Sequence, residues 1–317
     1  MKALVTGGAG FIGSHLAEAL CRRGVRVVVL DNLTAGSTAN LTWRQPGDEL
    51  EFIQGDVADR ATVRRAVAGC DWVFHEAALV SVPQSVAQPL ESHRDNLTGT
   101  LEVLAAARDA GVKRLVFASS SAIYGDSEAP VKQETQPPSP LTPYALQKYA
   151  AERYAQLFHS LYGLETVSLR YFNVFGPRQA FDSPYSGAIA KFCTAFLAGE
   201  RPRVFGDGLQ SRDFVAVAGV VAANLAAAER PAERVAGRVF NIGTGASVTL
   251  LDLIAELQRL TGRKLEPQFE PARPGDIRFS CADVSAAERD LGFRATVPWQ
   301  AGLAATLEFY RAQAAST

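Results

Sequence analysis

The chain is short of most features that mark a metal centre, a disulfide scaffold or a polyanion-binding surface. Its 317 residues include four cysteines, Cys21, Cys70, Cys193 and Cys281, widely spaced and without a CxxC pair. That spacing argues against both a zinc site and a disulfide framework, and the four read as buried thiols in a reducing compartment. The four histidines, His15, His75, His93 and His159, are equally scattered, so no metal cluster is expected. Acidic and basic residues nearly cancel, to a net charge of -1, and there is no Lys/Arg block. Neither nucleic acid nor an anionic membrane has an electrostatic handle on such a chain. No apolar run approaches the ~20 residues of a membrane span. The opening KALVTGG reads as a strand rather than as a secretion signal, and a cytoplasmic location is expected. What is present is a 47% hydrophobic chain, long enough to bury a sizeable core, whose expected partner is a small molecule.

Short β-branched runs alternate with amphipathic stretches: ALVT, VRVVVLD, ELEFIQ, DWVFHE, RLVFASS and TVSLRYF. Such alternation predicts repeated βαβ units, and the near-continuous apolar character of the strands predicts a parallel sheet covered on both faces. The expected class is therefore α/β, a Rossmann-type doubly wound parallel sheet. A late run, GRVFNIG around Val239, is a candidate to rejoin that sheet. Residues 173–212, rich in Gly, Pro and aromatics, and the segment after Gly245 read as a smaller, discontinuous lobe. The expected division is 1–172 with 213–243 for the cofactor, and 173–212 with 244–317 for the substrate.

The first strand runs into TGGAGFIGSHLAEAL, where Gly7, Gly10 and Gly13 open a helix. Backbone N–H groups and a helix N-terminus can approach a pyrophosphate only where no Cβ intervenes. Asp31 ends the next strand at roughly the offset of about 20 residues expected for a ribose contact. A carboxylate there suits both ribose hydroxyls of NAD and repels the 2′-phosphate of NADP. Asp56, in IQGDV, could receive the adenine amino group or cap the next helix. Ala77 and Ala78, after the fourth strand, are small enough for a dinucleotide to lie against the backbone, or simply for close packing.

Tyr144 and Lys148, in PYALQK, are four apart behind a Pro suited to a first helical turn, so they share one helical face. An ammonium beside a phenol, with a positively charged nicotinamide close by, favours the phenolate, lowers the Tyr pKa from ~10 and so makes a general base. Just upstream, Ser119, Ser120 and Ser121 end what reads as a central strand, the edge where open α/β sheets bind ligands. One or two of these hydroxyls could instead satisfy backbone groups.

Taken together, TGGAGFIGSH, DNL, the strand-end serines, YALQK, LRYFNVFGPRQ, SRDF and ARPGDIRFSCADVS resemble the extended short-chain dehydrogenase/reductase family over essentially the whole chain. Within it they resemble the nucleotide-sugar 4-epimerase branch. The resemblance implies NAD held by Gly7, Gly10, Phe11, Ile12, Gly13, Asp31, Asn32, Asp56, Val57, Ala77, Ala78, Asn96, Tyr144, Lys148 and Phe172. It implies Tyr144 as base, Lys148 as the ribose contact that tunes it, and Ser121 as the hydrogen-bond partner of the sugar O4, assisted by Ser120. Asn173 and Arg212 would contact the sugar nucleotide, with Arg212 and Arg273 on its diphosphate. The pattern departs at Ala216, Ala218 and Gly219, where relatives carry an aromatic or His and an acidic helix cap.

Members that dehydrate or decarboxylate place acidic residues directly after the strand-end hydroxyl; here those positions read as Ala122 and Ile123, which cannot do acid-base work. The implied reaction is a reversible oxidation at C4: Tyr144 takes the 4-hydroxyl proton, hydride passes to NAD, and the 4-keto sugar turns over before hydride returns to its other face. Ser280 stands where sugar-restricted relatives carry a bulky Tyr, and Ser81 and Gln179 also match the N-acetylhexosamine-preferring subgroup. The expected substrates are UDP-N-acetylglucosamine and UDP-N-acetylgalactosamine, with some activity on UDP-glucose and UDP-galactose. The alternatives are an epimerase of UDP-uronic acids or plain UDP-hexoses, and a catalytically silent NAD-binding regulator. A homodimer through helices at about 97–110 and 144–162 is implied by the resemblance alone.

Overall fold

Seven apolar runs form the strands of one parallel sheet in the computed structural model, which describes residues 1–127, 129–180, 187–272 and 277–315. Their order across the sheet is Arg238–Ile242, Glu165–Tyr171, Arg114–Ser120, Trp72–His75, Lys2–Thr6, Arg26–Asp31 and Leu50–Gln54. Every neighbouring pair is parallel. The late run around Val239 thus rejoins the sheet at its edge. The strand order reverses between Lys2–Thr6 and Trp72–His75, which opens the crevice where doubly wound sheets take their ligands.

Both faces of the sheet are covered, which is why its strands carry apolar residues at successive positions. On one face, Val5, Val29, Phe74 and Leu169 pack with Leu16 of helix Phe11–Cys21 and Ala223 of helix Val217–Glu229. On the other, Leu4, Val73, Leu115 and Phe117 pack with residues of helices Arg60–Val67, Gly99–Asp109 and Pro143–Tyr162. A separate core joins helices Ala188–Ala198, Leu250–Thr261 and Trp299–Ala315 through Phe192, Phe196, Leu253, Leu257, Leu303 and Leu307. The first of these helices, AIAKFCTAFLA, lies inside the Gly- and Pro-rich excursion, whose flanking composition hides it. Beside this core, four short strands line up as Val248–Thr249, Ser211–Arg212, Phe279–Ala282 and Val131–Lys132.

Helix Val217–Glu229 begins at Ala216 with no side-chain cap, as the missing acidic pair implies. All four cysteines are buried and free. No helix among the described residues is long and apolar enough to cross a membrane.

Candidate active site

The glycine-rich turn is shaped by contacts that leave no room for side chains. Gly7 has φ +67°, and a Cβ there would stand 2.7 Å from Ala77 N; one on Gly13 would stand 2.2 Å from Gly7 O. The turn therefore lies directly against the backbone that leaves the fourth strand, and the helix beginning at Phe11 packs onto the turn itself. Gly10 donates to Gly7 O at 3.0 Å and gives the helix no side-chain cap. The N–H groups of Phe11, Ile12 and Gly13 belong to the first turn, whose donors have no intrahelical partner, and they present a phosphate-sized anion with a ready site.

Asp31 is buried and braces this turn: one oxygen accepts from Ala9 N at 2.9 Å and the other from Leu33 N at 2.8 Å. Each oxygen keeps a lone pair for a ribose hydroxyl. The Ala9 carbonyl is held in turn by Ser37 N and Asn40 Nδ2, both at 2.9 Å. Gly36 lies so near that a Cβ would come 2.9 Å from both Asp31 oxygens. Asn40 and Gly36 were passed over in the sequence because neither falls in the glycine motif. Asn32 is exposed and accepts from Thr34 N at 3.0 Å.

Farther along the sheet edge, Asp56 accepts from Ala58 N at 2.8 Å and pairs with Arg94 at 2.8 Å, while Asp59 is the residue that caps the next helix. Val57 is buried against Gly99, where a Cβ would meet it at 2.7 Å. Ala77 and Ala78 are half-buried. Asn96 clamps the loop that follows them, accepting from Leu79 N at 2.8 Å and donating to Leu79 O at 3.1 Å. It sits in a π turn, Arg94–Thr98, between helices Pro89–His93 and Gly99–Asp109.

A hydrogen-bonded relay tightens the same corner. Ala77 N lies 3.3 Å from Thr6 Oγ1, which is 2.7 Å from His75 Nδ1; His75 Nε2 is 2.9 Å from Thr100 Oγ1, which donates to Asn96 O at 2.6 Å. The relay is satisfied when His75 is neutral with its proton on Nε2, and burial pulls its pKa down to about 3. His75 is thus a structural histidine buried in an apolar strand.

The three strand-end serines separate by partner. Ser119 donates to Glu152 Oε2 at 2.8 Å, and Glu152 grips Arg170 with both oxygens, at 2.9 and 2.6 Å. Ser120 accepts from Ala122 N at 3.2 Å, and its hydroxyl is the side chain that opposes the rise of the Tyr144 phenol. Ser121 opens the short turn Ser121–Tyr124. The strand continues through Ser120 before it turns, which makes Ser120 a second candidate beside Ser121 for the strand-end hydroxyl that works with Tyr144. The two positions after Ser120 are Ser121 and Ala122, and these too carry no carboxyl group.

Tyr144 and Lys148 lie on helix Pro143–Tyr162, capped by Thr142, which accepts from Ala145 N at 3.3 Å. Ser85 fixes the start of this helix by accepting from Tyr144 N at 3.2 Å; nothing in its spacing announced that role. Lys148 Nζ donates to Ala118 O at 2.8 Å and stands 5.0 Å from the Phe117 ring centroid. Burial pulls the ammonium down to about 8, against the charge of Glu76. Burial pushes the Tyr144 phenol above its ordinary value, opposed by the bond from Ser120. Among the protein's own groups desolvation of the phenolate dominates; the expected lowering draws also on the positive nicotinamide of bound NAD.

In the short sheet, Arg212 and Ser280 are register partners on parallel strands, so their side chains share one face. Ser280 is buried and Arg212 half-buried. Asn173 is exposed and pairs with Phe214. Asp213 ties these strands together: it accepts from Thr244 N and Oγ1, both at 2.7 Å, from Gly245 N at 2.9 Å and from Ala282 N at 3.1 Å. Gln179 donates to Val174 O at 3.4 Å, and its buried Oε1 has no partner among the described residues. Ser81 caps helix Val82–Ala87 by accepting from Gln84 N at 3.1 Å. The Phe172 ring packs with Tyr124 and Ala282, and Arg273 lies outside the described residues.

The family model described as "NAD dependent epimerase/dehydratase family" matches residues 3–243. The chain belongs to this family. NAD is its cofactor, and the glycine cradle with its uncapped helix start fits that group. A UDP-glucose 4-epimerase of Mycolicibacterium smegmatis is 39% identical over 98% of this chain and 99% of its own length. The crystal structure of UDP-glucose 4-epimerase from Thermotoga maritima with UDP-glucose superimposes with a TM-score of 0.93 at 39% identity, covering 99% of this chain and all of that one. UDP-N-acetylglucosamine 4-epimerase from Methanobrevibacter ruminantium, in complex with UDP-N-acetylmuramic acid, gives a TM-score of 0.93 at 38% identity and covers 98% of both chains. The chain falls in the UDP-sugar 4-epimerase branch, whose members are isomerases.

Proposed function

We propose that this enzyme interconverts UDP-N-acetylglucosamine and UDP-N-acetylgalactosamine, and that UDP-glucose and UDP-galactose are secondary substrates. The observation that carries the sugar preference is Ser280, a small residue beside Arg212 in register. A hydroxymethyl side chain there leaves space for a 2-acetamido group. The full-length likeness to UDP-glucose 4-epimerases favours plain UDP-hexoses as the second reading.

In the reaction, Tyr144 takes the 4-hydroxyl proton and later returns it. Ser120 orients the phenol and shares the proton's path, taking the place first assigned to Ser121. When bound, NAD supplies the hydride acceptor for C4 and a positive charge that offsets the desolvation of the Tyr144 phenolate. Lys148 holds the ribose and adds its own charge. Because neither Ser121 nor Ala122 can move a second proton, the 4-keto sugar has no elimination or decarboxylation route from this strand end and is reduced again. The main sheet carries the cofactor, and the short strands with residues 173–212 and 244–315 carry the sugar nucleotide.

A helical stripe of exposed apolar residues, Leu146, Tyr154, Leu157 and Leu161, supports a homodimer through helix Pro143–Tyr162; light scattering that returned a single-chain mass would sink that reading. For the substrate, the purified protein is incubated with each UDP-sugar and the products are resolved by chromatography. UDP-N-acetylglucosamine should epimerise fastest. Its return unchanged while UDP-glucose turns over would overturn the sugar assignment, and full activity of Tyr144→Phe on every sugar would overturn the base.

A further inference from the structure

The carboxyl group of Glu76 has no part in the proton transfer described above, yet it lies among the groups that perform it. It follows strand Trp72–His75, in which His75 pairs with Phe117. Glu76 is therefore one step on, opposite Ala118, whose carbonyl takes the Lys148 ammonium. From the far side of the same central strand, Tyr171, the register partner of Ser120, donates to Glu76 Oε1 at 2.7 Å. Asn224, on helix Val217–Glu229, donates to the Tyr171 oxygen at 2.7 Å. The chain Asn224–Tyr171–Glu76 thus arches over the strand end that holds Ser120 and anchors Lys148.

We infer that Glu76 is the counter-charge of Lys148, a positioning residue that keeps the lysine protonated so that it can support Tyr144. This rests on the reading of the Tyr144–Lys148 pair given above. Burial drives a lysine toward its neutral form, and Glu76 is the charge that resists. Burial likewise pushes the Glu76 carboxyl up to about 7, while the Tyr171 bond and Lys148 pull it down. His75, beside it in sequence, is bound to Thr6 and Thr100 and stays neutral. Glu76 and Lys148 are therefore a coupled pair, in which each group favours the charged form of the other.

The test is an NMR titration of NAD-loaded protein labelled at the lysine ε-carbons. There are six lysines, Lys2, Lys113, Lys132, Lys148, Lys191 and Lys264, and Lys148→Ala assigns the resonance of interest. Glu76→Gln keeps an acceptor for Tyr171 but removes the charge. It should lower the Lys148 midpoint by about one unit and move the alkaline limb of kcat/KM with it. Tyr171→Phe weakens ionisation of Glu76 and should give a smaller shift in the same direction; should Glu76→Gln fail to fold, this variant carries the test alone. A purely structural Glu76 predicts reduced kcat at every pH with an unmoved Lys148 midpoint, and that result overturns the proposal. An unmoved midpoint beside an inactive Tyr144→Phe removes the role of Glu76 and leaves the catalytic pair standing. An active Tyr144→Phe removes both.

Discussion

Between Thr6 and Asn40 the chain lays down the pyrophosphate cradle largely with backbone atoms, bracing it through Asp31 and Asn40. The face proposed for the sugar, by contrast, draws Asn173, Arg212 and Ser280 from separate segments, and the carboxyl group of Asp213 ties together the strands that carry them. A cradle made of backbone tolerates change only where a side chain would fill it. A face made by stapling distant strands is sensitive at the staple, whichever residues it presents.

Five substitutions probe that contrast. Gly13→Ala should do most damage: its Cβ would need to occupy space 2.2 Å from Gly7 O. We expect a loss of about 3 kcal/mol in stability and little co-purifying NAD, measured by denaturant unfolding and by nucleotide release on denaturation. Next, Ser120→Ala should cut kcat/KM by about 100-fold, whereas Ser121→Ala should stay within a few-fold of the parent. Equal losses from the two would show that the strand-end turn, rather than one hydroxyl, is what matters. Third, Asp213→Asn sets an amide donor against the N–H groups of Gly245 and Ala282 and should cost about 2 kcal/mol. It should raise KM for the UDP-sugar and leave NAD content unchanged; loss of NAD would break the separation between the two halves.

The smallest effect concerns pH. The pKa of His75 falls from 6.5 to about 3 on folding, so between those values the unfolded chain binds a proton that the folded chain refuses. Stability contributed by neutral His75 is therefore lost as pH falls from 6.5 toward 3. Glu76, raised from 4.5 to about 7, acts in the opposite sense: its contribution weakens as pH rises through that window. His75→Gln should flatten the acid limb of a stability-versus-pH curve measured by urea unfolding, at a cost of about 1 kcal/mol near neutrality.

The same contrast explains what could be read from residues alone. Seven strands, the glycine cradle, Asp31 and the Tyr144–Lys148 face are local patterns, in which spacing in sequence is spacing in space. The strand-end hydroxyl proposed here lies one residue before the one the resemblance implies, because strand and following turn differ by a hydrogen bond that composition does not encode; the bond from Ala122 N to the Ser120 hydroxyl marks the corner. Ser85, Asn40, Glu76 and Asp213 act through partners tens of residues away, and an isolated Ser, Asn, Glu or Asp carries no sign of its partner. The burial of the Tyr144 phenol is hidden for a related reason: the YxxxK spacing shows the neighbouring charge but not how thoroughly the phenol is desolvated.

The π turn at Arg94–Thr98 accommodates one residue more per turn than an ordinary helix. Removing that extra residue would restore an ordinary turn while the helical segments on either side kept their azimuth. What would be lost is a side chain of the bulge itself, and Asn96 with its clamp on Leu79 lies there. The π turn thus works like a tooth added to a gear without turning the wheel: it gives the helix one more side chain at the sheet edge, and deletion of Asn96 should be tolerated less well than deletion of a residue in an exposed loop.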